Sequence, residues 1–471
     1  MSISKQATPF DVMTVPLEGS NLIEASAGTG KTYSIAILVL RLILEKNIPL
    51  QEILMVTFTK AAVAELDDRI RNFVRQASRY SKGEDIRDAT IKKIVDLTGK
   101  DIVSELLDTA VINLDEINVM TIHGFAQVTL NEFAFETGQL FSTELIPDTS
   151  DIIEKEVQEF WRKQVTVIHE KLLAGLMDSE VNLNQITKVI QEYLSGKSYK
   201  FYDSTEIYLL DEAKQQEYLE ILSELQIQIL DLKTKIFNYI SVNKSYIIEA
   251  CNRNSFAKKA FENSINHPET FLAIFEKKIE TNYIDNLFPE LKELVTKQIK
   301  NKEESKITGK LAANYLYATA IQIIVPRIES YKMTNNLISF DDMINKLHKS
   351  LVSGKNTNLA VRLQNKYKAV FIDEFQDTDK LQYEIFNTAF HQRSIMFYIG
   401  DPKQSIYGWR RADIATYFDA RNHVDRLYSM NINYRSTGQL LDALNHFFLP
   451  KPDFDTFHYG SDEDRIDYHN V

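Results

Sequence analysis

Residues Ala25-Ser26-Ala27-Gly28-Thr29-Gly30-Lys31-Thr32 form a glycine-rich loop between two apolar stretches, and nothing else in the chain restricts its fold so strongly. Leu22-Ile23 reads as the end of a buried strand, and Tyr33 to Leu40 continues as a helix. The backbone N–H groups of such a loop converge on an anion beside the positive end of a helix. The pattern predicts an α/β fold with a phosphate-binding loop of the Walker A kind. In that reading Ala25 to Thr32 bind ATP, Lys31 reaches the β- and γ-phosphates and Thr32 ligates Mg²⁺. The first position is Ala25 where the general pattern has Gly, and a glycine-rich turn is also an ordinary structural element, so this segment alone leaves both readings open.

A second segment narrows the choice. Ala369-Val370-Phe371-Ile372 is an apolar run short enough for a buried parallel strand, and it ends at Asp373-Glu374. At a strand's carboxyl end Asp373 can hold Mg²⁺, directly or through water, while Glu374 polarises the water that attacks a γ-phosphate. An acidic pair after an apolar run is by itself an ordinary solvated strand end. Its continuation as Phe375-Gln376-Asp377-Thr378 is far more specific.

Together with four further strings, these segments resemble the amino-terminal motor of UvrD/Rep-type superfamily 1 DNA helicases, in the wording of the family's RecB-like branch. The strings are Ile23 to Thr32; Val56-Thr57-Phe58-Thr59-Lys60-Ala61-Ala62-Val63-Ala64-Glu65-Leu66, one residue shorter than the UvrD-like form; Thr121-Ile122-His123-Gly124-Phe125-Ala126-Gln127; Asp373 to Thr378; Gly400 to Asp413; and Asn433-Tyr434-Arg435-Ser436-Thr437. They stand in the family's order and cover about residues 20–130 and 337–437. The stretch between resembles the family only in position and helical character.

The resemblance implies a catalytic set of Lys31, Asp373, Glu374, Gln404 and Arg435, with ATP and Mg²⁺ as cofactors. Gln404 would sense the γ-phosphate or the attacking water, Tyr434 would stack on adenine, and Arg435 would reach the γ-phosphate as an arginine finger does. Trp409 would stack on a DNA base, with Tyr407 and Arg410 in the same loop and Phe58 and His123 lining the same single-strand channel, since every base offers a π-face. A core tryptophan at a domain boundary and a packed Tyr-Arg pair are the structural alternatives for Trp409 and for Tyr434-Arg435. The implied partners are single-stranded and tailed duplex DNA, with RecC- and RecD-like subunits, and the implied direction of travel is 3′ to 5′.

Composition sets the boundaries of this reading. With 471 residues, 44% of them hydrophobic, the chain is globular and exceeds one hydrophobic core. The apolar run Ile35 to Leu40 is stopped by Arg41, far short of the roughly 20 residues of a membrane span. No signal peptide precedes it, and Cys251, the single cysteine, excludes an intramolecular disulfide or a Cys₄ cluster. A cytoplasmic protein without membrane contact is expected. The net charge of −12 argues against nucleic acid at first sight, but a translocating motor needs only a narrow basic and aromatic track. Residues 231–310 carry 14 Lys+Arg against 11 Asp+Glu, a net of +3 that leaves −15 elsewhere; this region reads equally as a DNA face or as a solvated helical surface.

From Lys31 to Asp373 the chain runs 373 − 31 = 342 residues, too many for one αβ repeat, so an inserted domain is expected. The predicted organisation is a RecA-like parallel sheet over 1–150 and 331–430 (domain 1A), an all-helical insert over 151–330 (domain 1B), and the start of a second RecA-like domain over 431–471. Strands are expected at Leu22-Ile23, Ile53 to Val56, Ile117 to Met120, Ala369 to Ile372, Ile395 to Ile399 and Leu427 to Met430. After Arg435, a helix at Leu440 to Phe448 leads to Pro450, Pro452 and an acidic tail. Most of the second RecA-like domain is expected to be missing, which makes a truncated or partial subunit the reading, one that binds ATP weakly and separates strands little by itself. No nuclease site is expected either, because His469 stands where Ile466-Asp467-Tyr468 would need a lysine to follow. Two functions remain open: an ATP-dependent DNA helicase and translocase serving double-strand break repair and recombination, or a catalytically idle ATP- and DNA-binding module for assembly or regulation.

Overall fold

The computed structural model describes residues 7–98, 100–137, 143–197, 199, 202–203, 206–207, 209–261, 264, 267–279, 287–352, 357–406, 413–451, 456–457, 466 and 468. The strands among them, in chain order, are β1 (Thr8–Pro9), β2 (Ser20–Ala25), β3 (Ile53–Thr57), β4 (Asn118–Thr121), β5 (Glu144–Leu145), β6 (Tyr202–Asp203), β7 (Glu206–Ile207), β8 (Leu337–Ile338), β9 (Ala369–Ile372), β10 (Ile395–Gly400) and β11 (Arg426–Met430). The chain divides into two compact units, one of residues 1–143 with 340–471 and one of residues 144–339.

The first unit is built on a seven-stranded sheet in the order β1-β11-β2-β10-β9-β3-β4, with every neighbouring pair parallel. Parallel sheets are covered on both faces, which is why their central strands read as unbroken apolar runs. Here every residue of β3 and β9 is buried, and β2 and β10 lack full burial only at Glu24 and Ile395. Phe371 and Phe397 stack across β9 and β10 with ring centroids 5.0 Å apart. The helix α1 (Lys31–Lys46) that follows the loop is buried from Ser34 to Leu44. At about 1.5–3 kcal/mol per large aliphatic side chain, that burial fixes the helix firmly behind the loop.

Arg41, which ends the apolar run in the sequence, lies inside this packing and is only 5% exposed. Its charge is met on every side. Its guanidinium donates to Glu45 Oε1 and Oε2 at 2.6 and 2.9 Å and to the carbonyls of Val12 and Val15 at 2.7 and 3.0 Å. A buried cation is tolerated when so paired, and this one ties the amino-terminal segment to α1.

The second unit is a helical insert. Its longest helix, Pro289–Thr334, has 46 residues and reaches roughly 70 Å at 1.5 Å per residue. One apolar core collects around Leu291 and Val295 near its start, and another around Ala312 to Ile328 near its end. The helix Glu212–Val242 lies along it, with Asn301 Nδ2 donating to Gln228 Oε1 at 2.9 Å. Gly309 makes a close approach possible: a Cβ there would stand 2.7 Å from the Gly175 carbonyl and 2.6 Å from Ser179 Oγ. Two short pairings add to the expected helices, β5 with β8 in parallel and β6 with β7 antiparallel. Pairings of two residues carry too little periodicity to be read from sequence.

The expected strands all form, each within a residue or two of the expected bounds, and the helix after Arg435 runs from Gly438 to Phe448. No helix among the described residues is long and apolar enough to cross a membrane.

Candidate functional site

The glycine-rich loop leaves β2 and turns into α1 through two glycines of positive φ, Gly28 at 78° and Gly30 at 88°. Thr29, almost fully buried, locks the turn by donating its hydroxyl to the Ser26 carbonyl at 2.7 Å. Gly30 is the N-cap of α1 and supplies no capping side chain. The first-turn N–H groups of a helix need a partner, and here the local sequence reserves them for something other than a cap.

Strand order brings the other residues to the loop. β10 lies between β2 and β9, so the carboxyl ends of all three strands open on one side. At the end of β9, Glu374 adopts a left-handed backbone with φ 53°, an uncommon conformation for a residue with a side chain. Its Oε2 accepts from Lys31 Nζ at 3.0 Å and from Gln376 Nε2 at 2.8 Å. Gln376 is 2% exposed, and its Oε1 accepts from the Asp401 backbone N–H at 3.0 Å. Asp401, buried after β10, accepts in turn from the Gln404 amide at 2.8 Å and pairs with Lys403 at 3.0 Å. Lys31, Glu374 and Gln404, expected from the sequence to share a site, are thus joined by one chain of polar contacts.

Asp373 differs from these residues. Its backbone N–H donates to the Val56 carbonyl at 2.8 Å, but its buried Oδ1 has no hydrogen-bond partner. Burial, assisted by the neighbouring Glu374 carboxylate, pushes its carboxyl up to about 7. On the adjacent strand β3 the register pairs Val56 with Ile372, so Thr57 stands beside Asp373, and its buried hydroxyl also lacks a partner. The orphaned Asp373 oxygen, near Glu374 and Lys31 and with the Thr57 hydroxyl on the adjacent strand, fits a site that takes a hydrated divalent cation. Thr32, in the first turn of α1, is partly exposed.

The segment after β11 folds back over the loop. Asn433 Nδ2 donates to the Ala27 carbonyl and the Tyr434 N–H to the Gly28 carbonyl, both at 2.9 Å. A Cβ on Gly28 would stand 2.9 Å from the Arg435 Cβ and from the Asn433 side chain. Arg435 is therefore seated at the loop, and Tyr434 is 76% exposed, neither packed as a core pair nor shielded.

Phe58 and His123 leave neighbouring strands at the same edge, since Thr57 of β3 is in register with Thr121 of β4. Thr59 and Thr121 cap the helices that follow by accepting from the N–H groups of Ala62 and Gly124. The His123 ring meets Phe340 edge-on, with centroids 5.2 Å apart. Tyr407, Trp409 and Arg410 lie outside the described residues; the loop that carries them is described as far as Ile406, which is 71% exposed. In the 231–310 region, cations are drawn into ion pairs: Lys235 with Asp231, Lys297 with Glu293, Lys302 with Glu276, and Arg253 with Glu249.

Gln376, Thr57 and Asn433 are the site residues that sequence reasoning passed over. Each lay within a motif string, but its partner is set by strand order or by a distant chain return.

Residues 9–425 match the UvrD/REP helicase N-terminal domain. The chain is 29% identical over 474 residues to the RecBCD enzyme subunit RecB of Escherichia coli (strain K12), covering 96% of this chain and 40% of that protein. It is 28% identical over 505 residues to the subunit of the same name from Haemophilus influenzae, covering 94% and 41%. For that of Chlamydia trachomatis serovar D, identity is 31% over 486 residues, covering 95% and 44%. The chain spans about two fifths of the length of these curated relatives.

Proposed function

Because the chain belongs to the UvrD/REP helicase family, we propose that it is the amino-terminal motor portion of an ATP-dependent DNA translocase and helicase of the RecB kind, moving 3′ to 5′ in double-strand break repair and recombination. The observation that carries this reading is the contact chain Lys31–Glu374–Gln376–Asp401–Gln404 around the open end of α1.

ATP would lay its phosphates against the N–H groups of Gly28 to Thr32, and Lys31 would exchange the Glu374 carboxylate for phosphate oxygens. Release of Lys31 leaves Glu374 able to orient and deprotonate the attacking water. Asp373 and Thr32 would hold Mg²⁺, with Thr57 beside them; when bound, the ion offsets the charge on the phosphates. Gln404 would respond to the γ-phosphate, Arg435 would help to neutralise it, and Tyr434 would stack on the base. Phe58, His123 and the loop bearing Tyr407, Trp409 and Arg410 would carry single-stranded DNA by stacking. RecC- and RecD-like subunits are the proposed partners.

A DNA-stimulated ATPase assay on the purified 471-residue chain tests the proposal. Hydrolysis should rise with single-stranded DNA and vanish in Lys31→Ala. Trp409→Ala should weaken DNA binding by about 1–3 kcal/mol, the range for one base stack, with ATP affinity retained. ATP binding with no DNA-stimulated turnover would favour the idle module instead.

A further inference from the structure

Glu374 has two donors on the same oxygen, and ATP binding would remove one. With Lys31 drawn to phosphate, Gln376 Nε2 remains, 2.8 Å from Glu374 Oε2. The partners fix which way the Gln376 amide faces: its nitrogen meets a carboxylate that can only accept, and its oxygen meets a backbone N–H that can only donate. Room for the amide is made by Gly400, where a Cβ would stand 2.7 Å from Gln376 Oε1. The Gln376 carbonyl also accepts from the Ser405 hydroxyl at 3.4 Å, one residue past Gln404.

We infer that Gln376 is a positioning residue that aims the Glu374 carboxylate during hydrolysis and links it to the loop that begins at Asp401. The inference rests on the ATPase reading above. A neutral amide suits this role, because it donates without competing for the proton that Glu374 must take, and it satisfies a buried N–H that an apolar side chain would orphan. Any shift of the Asp401 to Ile406 segment pulls on the amide and so on Glu374. The loop proposed to touch DNA and the base proposed to activate water are thereby joined through one buried side chain.

Two variants of the full chain test this. Gln376→Glu keeps an acceptor for the Asp401 N–H and deletes the donor to Glu374, while Gln376→Met deletes both. Hydrolysis is followed in single turnover, with protein in excess over radiolabelled ATP and an oligo-dT strand present, and affinity with a fluorescent ATP analogue. Both variants should hydrolyse about 100-fold more slowly, the loss typical of a misplaced reacting group, with nucleotide affinity changed less than about twofold. A purely structural role would lower rate and affinity together, and that result overturns the inference, as does a folded Gln376→Glu chain that hydrolyses ATP at the unmodified rate. An unmodified chain that binds the analogue yet never hydrolyses ATP overturns the ATPase reading itself, and the inference with it.

Discussion

Lys31 and Glu374 hold each other across 3.0 Å, with side chains 13% and 33% exposed, so an incoming phosphate competes with a carboxylate for the lysine. Solvent screens the pair only in part, and the sign of the effect is useful. Glu374→Gln should stop turnover, by a factor of about 10²–10⁴ for loss of a general base, while ATP affinity stays the same or rises. Titration of the variant with a fluorescent ATP analogue reads this; a clear fall in affinity would move Glu374 from the reaction to the binding of the phosphates. Asp373 yields a second prediction. Its carboxyl stands at about 7 in the fold, above its ordinary 3.8, so the folded state prefers the protonated form. The contribution of this group to stability is therefore greatest below about pH 4 and is lost as pH rises through 7. At about 1.4 kcal/mol per pH unit the loss is on the order of 4 kcal/mol. In metal-free buffer, Asp373→Asn should gain on the parent chain between pH 4 and 8 in urea unfolding, and Mg²⁺ with nucleotide should narrow the gap. A difference that ignores pH would place the Asp373 carboxyl in contact with water.

At the scale of elements, two helices of the insert meet at a close approach that Gly309 helps to make possible. Gly309→Ala would drive a methyl against the Gly175 carbonyl and Ser179 Oγ, within 2.7 Å of each. Overpacking of this kind costs about 1–3 kcal/mol, so the variant should unfold earlier in urea with nucleotide affinity unchanged. Equal stability would mean that the helices Glu170–Asp178 and Pro289–Thr334 separate freely. This contact was not legible in the sequence, because it joins positions more than a hundred residues apart. The strands and their terminal motifs were legible, because a parallel strand buried on both faces leaves an unbroken apolar run and its chemistry must follow where the run ends. What a run cannot disclose is its neighbour. Nothing in Ile395 to Gly400 says that β10 lies between β2 and β9, and on that order depends the bond from Asp401 to Gln376, just as the place of Thr57 beside Asp373 depends on β3 lying next to β9. Arg41 misleads for a related reason: it marks the end of an apolar run in the sequence, yet carbonyls from Val12 and Val15 allow it to be buried.

At the scale of the molecule, the sheet unit and the insert each have their own apolar cores, and the polar contact chain from Lys31 to Gln404 belongs wholly to the sheet unit. A ligand that binds only the folded state stabilises what it touches by RT ln(1 + [L]/Kd), about 2.7 kcal/mol at a hundredfold excess over Kd, which slows exchange through unfolding of that unit by about 100-fold. Hydrogen exchange with a non-hydrolysable ATP analogue and Mg²⁺ should therefore show added protection in β2, α1, β3, β9 and β10. The helices Glu212–Val242 and Pro289–Thr334 should exchange as before, since no residue proposed to bind nucleotide lies on them. Single-stranded DNA supplies the contrast. If Phe58 and His123 line its path, it should protect the segments after β3 and β4, and the protection should pass to Asp401 to Ile406 and to Glu374 only while Gln376 is intact. Protection by nucleotide centred on the insert would place the ATP site elsewhere, whereas protection of the sheet unit with no response to DNA would leave a nucleotide-binding module without a motor's second substrate.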